Sequence, residues 1–280
     1  DFLRALVTTP SPSGYEEEVQ KVCRKYSEPF ADKVYKDVHG NQFAVKNPDG
    51  KLRVMLAGHV DEIGLMVNNV DEKGFISFVA VGGVDPAVLA GQRVEVHGRK
   101  GAVPGVIGRT AIHLTDPEDR GKALKMHQMW IDIGAQDRKD AEKAVEIGDS
   151  ITIDAGYLEL RDDKAAARGF DDRIGAFVII EALRLLEKKK IDCAVYCVTT
   201  VAEEIGLRGA TTSSYGCNPH VGVAVDVGHA TDYPSSDVKR HGDAKIHGGP
   251  IIGRGPNINP VVFKQLLETA KSKKIPYQVG

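Results

Sequence analysis

Apolar positions fall into two textures along this chain. A short helical run spans Phe2 to Thr8, and after a Pro10-Ser11-Pro12-Ser13-Gly14 break apolar residues recur at helical spacing from about Tyr15 to Tyr26. Strand-type runs follow at Lys33 to Lys36, Gln42 to Lys46 and Arg53 to Ala57, the last ending at His59. From about Gly64 to Leu160 the pattern shortens. Runs such as Phe75 to Val81, Arg93 to His97, Gly105 to Ile107 and Ser150 to Ile153 are punctuated by Gly82-Gly83, Gly91, Gly98, Gly101 and Pro104-Gly105. That punctuation predicts a small β-rich module inserted into a larger domain. Beyond Arg168 longer elements return: a strongly apolar helix from Asp172 to Lys188, then strands from Cys193 to Thr199 and from Val221 to Val225.

Continuous apolar runs alternating with helices predict an α/β fold, its mostly parallel sheet flanked by helices and buried on both faces. The larger domain is expected to be discontinuous, formed by residues 1–63 and 161–280, with 64–160 as the insert. A last helix, Val261 to Lys273, precedes a fresh strand start at Pro276-Tyr277-Gln278-Val279. A domain rarely ends on a strand just begun, so the sequence reads as truncated at its C-terminus.

The 280 residues suffice for a large core, and 37 basic against 39 acidic side chains leave a formal charge of −2, with no bulk field to recruit nucleic acid or a membrane. No segment offers the roughly 20 apolar residues of a membrane span. Cys23, Cys193, Cys197 and Cys217 form no C-x-x-C pair and read as reduced core thiols, which suits a cytoplasmic protein. The chain does not begin with Met, which leaves room for residues upstream.

The candidate chemistry lies where apolar runs end. His59 follows the run Val54 to Ala57 and Asp226 follows Val221 to Val225, so both stand at C-terminal strand ends, the edge at which open α/β sheets bind ligands. Glu203 and Glu204 come a few residues after the strand that ends at Thr199, and Asp171 opens a helix, where orphan N–H groups favour a carboxylate. Taken singly, each has a plainer reading: a satisfied histidine, a solvated helix start, a cap. Together these carboxylates would repel one another unless cations lay between them. A pair of divalent ions about 3.5–4 Å apart needs one bridging carboxylate and makes a held water nucleophilic near neutral pH. Of the neighbours Glu203 and Glu204, one can ligate metal while the other takes the water's proton. Asp61 is placed to hold the second nitrogen of His59 and fix its tautomer.

The segments Gly58-His59-Val60-Asp61-Glu62-Ile63-Gly64, Phe170-Asp171-Asp172-Arg173-Ile174-Gly175 and Glu203-Glu204-Ile205-Gly206-Leu207-Arg208-Gly209-Ala210 resemble the cytosolic dinuclear metallo-aminopeptidase family. That family includes glutamyl aminopeptidases, deblocking aminopeptidases and the tetrahedral self-compartmentalising aminopeptidases. The likeness runs from Pro10-Ser11-Pro12-Ser13-Gly14 to Asp226 and Asp232. It implies a zinc-peptidase-like catalytic domain with a β-rich dimerisation insert, assembly to a dimer or dodecamer, and peptide substrates. It further implies that His59 and Asp226 bind one metal ion and Glu204 the other, that Asp171 bridges them, that Glu203 is the general base, and that Asp61 supports His59. The ions are expected to be zinc or cobalt, with manganese also compatible.

There are two departures. This chain has Asp171-Asp172-Arg173 where the family usually has Asp-Asn-Arg, and order in the motif favours Asp171 as the bridge. The family's second metal takes a further His near the C-terminus, which is expected beyond Gly280. His229 and Asp232 are near enough to Asp226 in sequence to line the substrate pocket, whereas His39, His97, His113 and His127 read as structural or exposed, and His241 and His247 flank a Gly-rich loop that lacks a phosphate-binding ending.

The rival readings are a related dinuclear amidohydrolase, either deacylase or carboxypeptidase, and a non-catalytic assembly subunit with a vestigial site. A glycosidase would instead need two metal-free carboxylates across a sugar bond.

Overall fold

The structure is a computed structural model that describes residues 1–280. Its residues separate into two compact units, 1–226 and 227–280.

The first unit opens with helices α1 (Phe2–Thr8) and α2 (Glu17–Ser27), then strands β1 (Lys33–Lys36), β2 (Gln42–Lys46) and β3 (Arg53–His59). Strands β4 (Gly64–Val70), β5 (Ile76–Val81), β6 (Arg93–Gly98), β7 (Gly101–Arg109), β8 (Met129–Asp132) and β9 (Ser150–Ile153) follow, with the short helix α3 (Arg138–Ala141) before the last. A small hairpin, β10 (Leu158–Glu159) and β11 (Ala165–Ala166), leads to helix α4 (Phe170–Leu186), strand β12 (Ala194–Thr200), helix α5 (Arg208–Cys217) and strand β13 (Val221–Ala224).

Five strands form one sheet in the order β1-β2-β12-β3-β13. This sheet is mixed. The expectation of a mostly parallel sheet holds for β12, β3 and β13, whereas β2 runs antiparallel to both β1 and β12. The reason is local: β1 and β2 are joined by a turn at Asp37–Gly40 too short for a crossover, so they can pair only as a hairpin. The buried-run signal in β12 is real, and its cause is coverage on both faces. Val195 and Cys197 pack with Phe2, Leu6, Val19, Cys23, Ile179, Ile180 and Leu183, so α1, α2 and α4 cover one face. Phe43, Val45, Met55 and Val198 pack on the other with Cys217 of α5.

Residues 64–153 hold the six short strands β4 to β9, which close into a barrel in the order β4-β5-β8-β7-β6-β9 with every pairing antiparallel. Alternation fills it: Val94 and Val96, with Leu65, Val67, Ile76, Phe78, Ile107, Ile131 and Ile151, point into its own core. Closure leaves no open sheet edge.

Two features fix α4 against the sheet. A Cβ added at Gly58 in β3 would lie 2.5 Å from the Gly175 carbonyl carbon, and one at Gly175 would lie 2.3 Å from both Val225 O and Asp172 Oδ2. Only glycine allows so close an approach of helix to strand. The second feature is Arg173, which is fully buried in the first turns of α4. Its guanidinium pairs with the buried Glu62 carboxylate at 2.9 Å and donates to the carbonyls of Leu6 (2.7 Å), Thr9 (2.8 Å) and Val60 (3.3 Å), and to Ser11 Oγ. Helix α4, the N-terminal segment and the β3–β4 crossing are thereby tied at one point. The barrel is docked beside it, because Glu62 N donates to Ser11 O (3.0 Å) and the Tyr15 hydroxyl donates to Gly148 O.

The second unit contains helix α6 (Val238–His241), strand β14 (Ile251–Ile252), helix α7 (Pro260–Lys273) and strand β15 (Gln278–Val279), the two strands pairing in parallel. Asn259 caps α7, its side chain accepting from Val261 N (2.9 Å) and Val262 N (3.3 Å). Thr231 and Ala244 exchange backbone and side-chain hydrogen bonds across the loop between them.

Replacing Arg173 by Met leaves the Glu62 carboxylate and several carbonyls buried without donors. Arg173→Met should therefore lose about 3–5 kcal/mol of unfolding free energy, measured by denaturant titration. A loss within experimental error of zero would show that the pair does not brace α4.

Candidate active site

Parallel register brings the predicted residues to one edge. Thr200 of β12 lies opposite His59 of β3, and Ala224 of β13 lies opposite Ala57, with Val225 N continuing the ladder to Ala57 O at 2.8 Å. His59, the loop after Thr200 and Asp226 therefore leave the sheet at the same level.

Three donors converge there. One ligand atom each from His59, Asp171 and Asp226 lies within 4.8 Å of the others. The distance from His59 Nε2 to Asp171 Oδ1 is 3.1 Å. His59 is buried while Asp171 and Asp226 face outward, which gives a three-donor cup with an open side. One imidazole and two carboxylates suit a borderline divalent ion with a coordination position left for a reactant. Glu203 Oε2 stands 3.6 Å from His59 Nε2, and neither Glu203 nor Glu204 belongs to the converged group.

The sequence expectation that Asp171 stands in the helix N-terminus needs revision. Asp171 has extended backbone angles (φ −81°, ψ 110°), and Asp172 is also non-helical, so the regular helix starts after them. The cap is Asp172. Fully buried, it accepts from Gly175 N (3.0 Å) through Oδ1 and from His59 N (3.1 Å) through Oδ2. With both its oxygens turned to backbone donors, Asp172 is engaged, and Asp171 is the residue that faces the cup.

Asp61 holds the remainder together. It is fully buried. Oδ1 lies 3.3 Å from His59 Nδ1 and accepts from Glu203 N at 3.0 Å, while Oδ2 accepts from Glu204 N (3.1 Å) and Ser13 Oγ (2.6 Å). His59 Nδ1 is also 3.1 Å from the Asp61 carbonyl. These contacts place the Nδ1 side of His59 against residue 61 and leave Nε2 beside Asp171.

The electrostatics follow from crowding. Burial alone would lower the pKa of His59, but Asp61, Asp172 and Glu203 outweigh it and raise the imidazole to about 9. Burial would raise Asp61, yet hydrogen bonds from His59, Ser13 and Glu203 N hold it below its usual range. Asp172 is pushed up to about 7, by burial first and then by Asp226, and Glu204 to about 7, by burial and then by Asp171. Burial also raises Glu203, with His59 opposing and Asp226, Asp61 and Asp171 adding to the rise. Neighbouring carboxylates thus raise one another, with His59 acting in the opposite sense on Asp172, Glu203 and Glu204.

His229 and Asp232, expected near the pocket, lie in the second unit, where Asp232 Oδ1 accepts from Ile246 N at 3.5 Å. Two supporting residues escaped the sequence reading: Glu16 and Asn41 each accept a backbone amide of the 201–204 turn. The Ser13-Gly14-x-Glu16 spacing was visible, but nothing local connects it to residue 202.

Comparison with known proteins identifies the family. Residues 40–280 match the family described as M42 glutamyl aminopeptidase. The chain is 34% identical over 282 residues to the lysyl aminopeptidase of Pyrococcus furiosus, covering 100% of this chain and 80% of that protein. Among solved structures, the TET aminopeptidase of a marine sediment archaeon, Thaumarchaeota archaeon SCGC AB-539-E09, superposes with a TM-score of 0.94 at 33% identity, over 100% of this chain and 79% of that one. The Pyrococcus horikoshii TET1 peptidase, which can assemble into a tetrahedron or a large octahedral shell, gives a TM-score of 0.88 at 29% identity, over 100% and 83% of the two chains.

The crowding has a measurable consequence in metal-free protein. His59 at about 9 lies above its ordinary 6.5, so its stabilising contribution is full below 6.5 and is lost as pH rises through 9. Asp172 and Glu204, at about 7 against ordinary values of 3.8 and 4.5, impose a penalty that is full above 7 and is relieved as pH falls. Asp61, held low, acts in the opposite sense only below the ordinary carboxylate range. The thermal midpoint of chelator-treated protein should therefore rise as pH is lowered from about 9 to about 5. A flat or falling midpoint across that window would show that the groups are not crowded as described.

Proposed function

The chain belongs to the M42 family of glutamyl aminopeptidases, and we propose that it removes N-terminal residues from peptides using two divalent ions and Glu203 as general base. The observation that carries the residue assignment is the convergence of His59, Asp171 and Asp226 on one point at the sheet edge. In this reading His59 and Asp226 hold one ion, Glu204 the other, and Asp171 serves both. Asp171 is favoured over Asp172 because Asp172 already accepts two backbone amides. When bound, ions of this kind polarise a scissile carbonyl and lower the pKa of water. Zinc and cobalt suit the donor set, and manganese is compatible with it.

The protein's own residues supply the rest. Glu203, with its pKa raised by burial and its carboxylate 3.6 Å from His59 Nε2, takes a proton from the attacking water and returns it to the leaving amine. Asp61 keeps the Nδ1 side of His59 occupied, so that Nε2 stays available. Roles for His229 and Asp232 in lining the substrate pocket rest on their closeness to Asp226 in sequence.

The same proposal extends to organisation. Residues 1–63 and 161–280 would form the catalytic domain and 64–160 an inserted module for self-association. Its barrel leaves Val88, Val106, Ile112 and Leu114 exposed, which supports a contact role. A dimer or dodecamer is proposed from the assembly of the Pyrococcus horikoshii relative. A cytoplasmic setting is supported by four free cysteines. No helix is long and apolar enough to cross a membrane.

Two assays test the reading. Free-amine aminoacyl anilides should be hydrolysed and N-acylated amino acids left intact; turnover of the acylated compounds alone would identify a deacylase instead. Glu203→Gln should lower kcat by about 10²–10⁴-fold while metal content stays close to that of the unaltered protein. Loss of metal would move Glu203 from base to ligand.

A further inference from the structure

Four consecutive amides of the turn between β12 and α5 end on side chains supplied by residues 16–61. Val201 N donates to Asn41 Oδ1 (3.1 Å), Ala202 N to Glu16 Oε1 (3.0 Å), Glu203 N to Asp61 Oδ1 (3.0 Å) and Glu204 N to Asp61 Oδ2 (3.1 Å). Such a run of side-chain acceptors does the work that a strand or helix ladder does elsewhere. The turn needs it, because Ala202 adopts φ +53°, a left-handed conformation that a Cβ disfavours and that persists only where its surroundings over-determine it.

Asn41 holds the residue before that step and Asp61 the two residues after it. Glu16 holds the step itself. It is buried just ahead of α2, and the same Oε1 accepts from Gly14 N at 2.9 Å, which fixes the carboxylate relative to the Ser13-Gly14 turn. Ser13 in turn donates to Asp61 Oδ2. Glu16 and Asp61 are therefore held by one four-residue segment, Ser13 to Glu16, and grip three successive amides.

We propose that Glu16 is a positioning residue for the general base: by accepting the Ala202 amide it fixes the left-handed step that turns Glu203 toward His59. This rests on Glu203 being the base. Without the acceptor, Ala202 can relax toward negative φ, and a flip at that residue displaces Glu203 and Glu204 relative to β3. A displacement of about 1 Å at a catalytic group can cost on the order of 10²-fold in rate.

The test compares metal-loaded full-chain protein with Glu16→Gln, Glu16→Ala and Ile107→Ala, using steady-state hydrolysis of an aminoacyl anilide with kcat expressed per folded molecule. Ile107 lies in the barrel core and supplies a control for lowered stability. Glu16→Ala should lose about 10²-fold in kcat with KM little changed. Glu16→Gln keeps the acceptor oxygen and should recover most of that loss, and Ile107→Ala should keep its kcat despite a lower thermal midpoint. Glu16→Met fills the volume without the acceptor, so it reads the same loss if Glu16→Ala does not fold. Wild-type kcat in both Glu16→Ala and Glu16→Met overturns the proposal, as does a Glu16→Gln variant as impaired as either, or an equal kcat loss in Ile107→Ala. An active wild type with unaffected Glu16 variants sinks only this inference, whereas an inactive wild type sinks the functional reading with it.

Discussion

Burying a carboxylate is costly unless N–H donors or a cation meet it, and this constraint organises the molecule. Four buried acids are met from within. Glu62 is paired with Arg173, Asp172 accepts from His59 N and Gly175 N, Asp61 accepts from Ser13, Glu203 N and Glu204 N, and Glu16 accepts from Gly14 N and Ala202 N. Each of these acids has at least one contact to a segment far away in sequence, so satisfying them also sets the positions of β3, α4 and the 201–204 turn. Further acids gather at the mouth. Asp171 and Asp226 converge on His59, with Glu203 beside them, a group that could hold a metal ion.

Placement at the sheet edge follows from the parallel part of the sheet alone. β3 and β13 point the same way, so His59 and Asp226 emerge together, and the glycines at 58 and 175 let the start of α4 lie directly on that edge. The antiparallel strands β1 and β2 lie on the other side of β12 and contribute packing rather than ligands. The chain enters the barrel just after Glu62 and reaches α4 through the small β10–β11 hairpin. Gly82, in the turn after β5, comes close to the catalytic edge: a Cβ there would meet Ile63 Cγ2 at 2.8 Å and Glu204 Cβ at 3.2 Å.

Much of the site was legible because its residues stand at the ends of apolar runs. Val54 to Ala57 pointed to His59, Val221 to Val225 to Asp226, and glycine punctuation from Gly64 onward to short strands, which close into a barrel. Pairing was less legible, since a strand buried on both faces reads the same whether its neighbours are parallel or not, and β2 beside β12 is antiparallel. At Asp171-Asp172 the two acids look alike in sequence; which one caps the helix depends on backbone angles and on the His59 amide 113 residues away. Helix α5, with Thr211, Thr212, Ser213 and Ser214 in its middle, lacks a strong helical pattern and is held by its packing on β12 and β3. The grip of Glu16 and Asn41 on the 201–204 turn spans 186 and 160 residues and leaves no local signature.

The assignment of the mouth is tested most directly by anomalous diffraction from crystals of metal-loaded protein, collected on either side of the metal absorption edge. Expected is one peak bonded to His59 Nε2, Asp171 and Asp226 and a second bonded to Asp171 and Glu204, with Asp172 still turned to its backbone donors. A peak ligated by Asp172 or by Glu203, or none within bonding distance of His59, would contradict it.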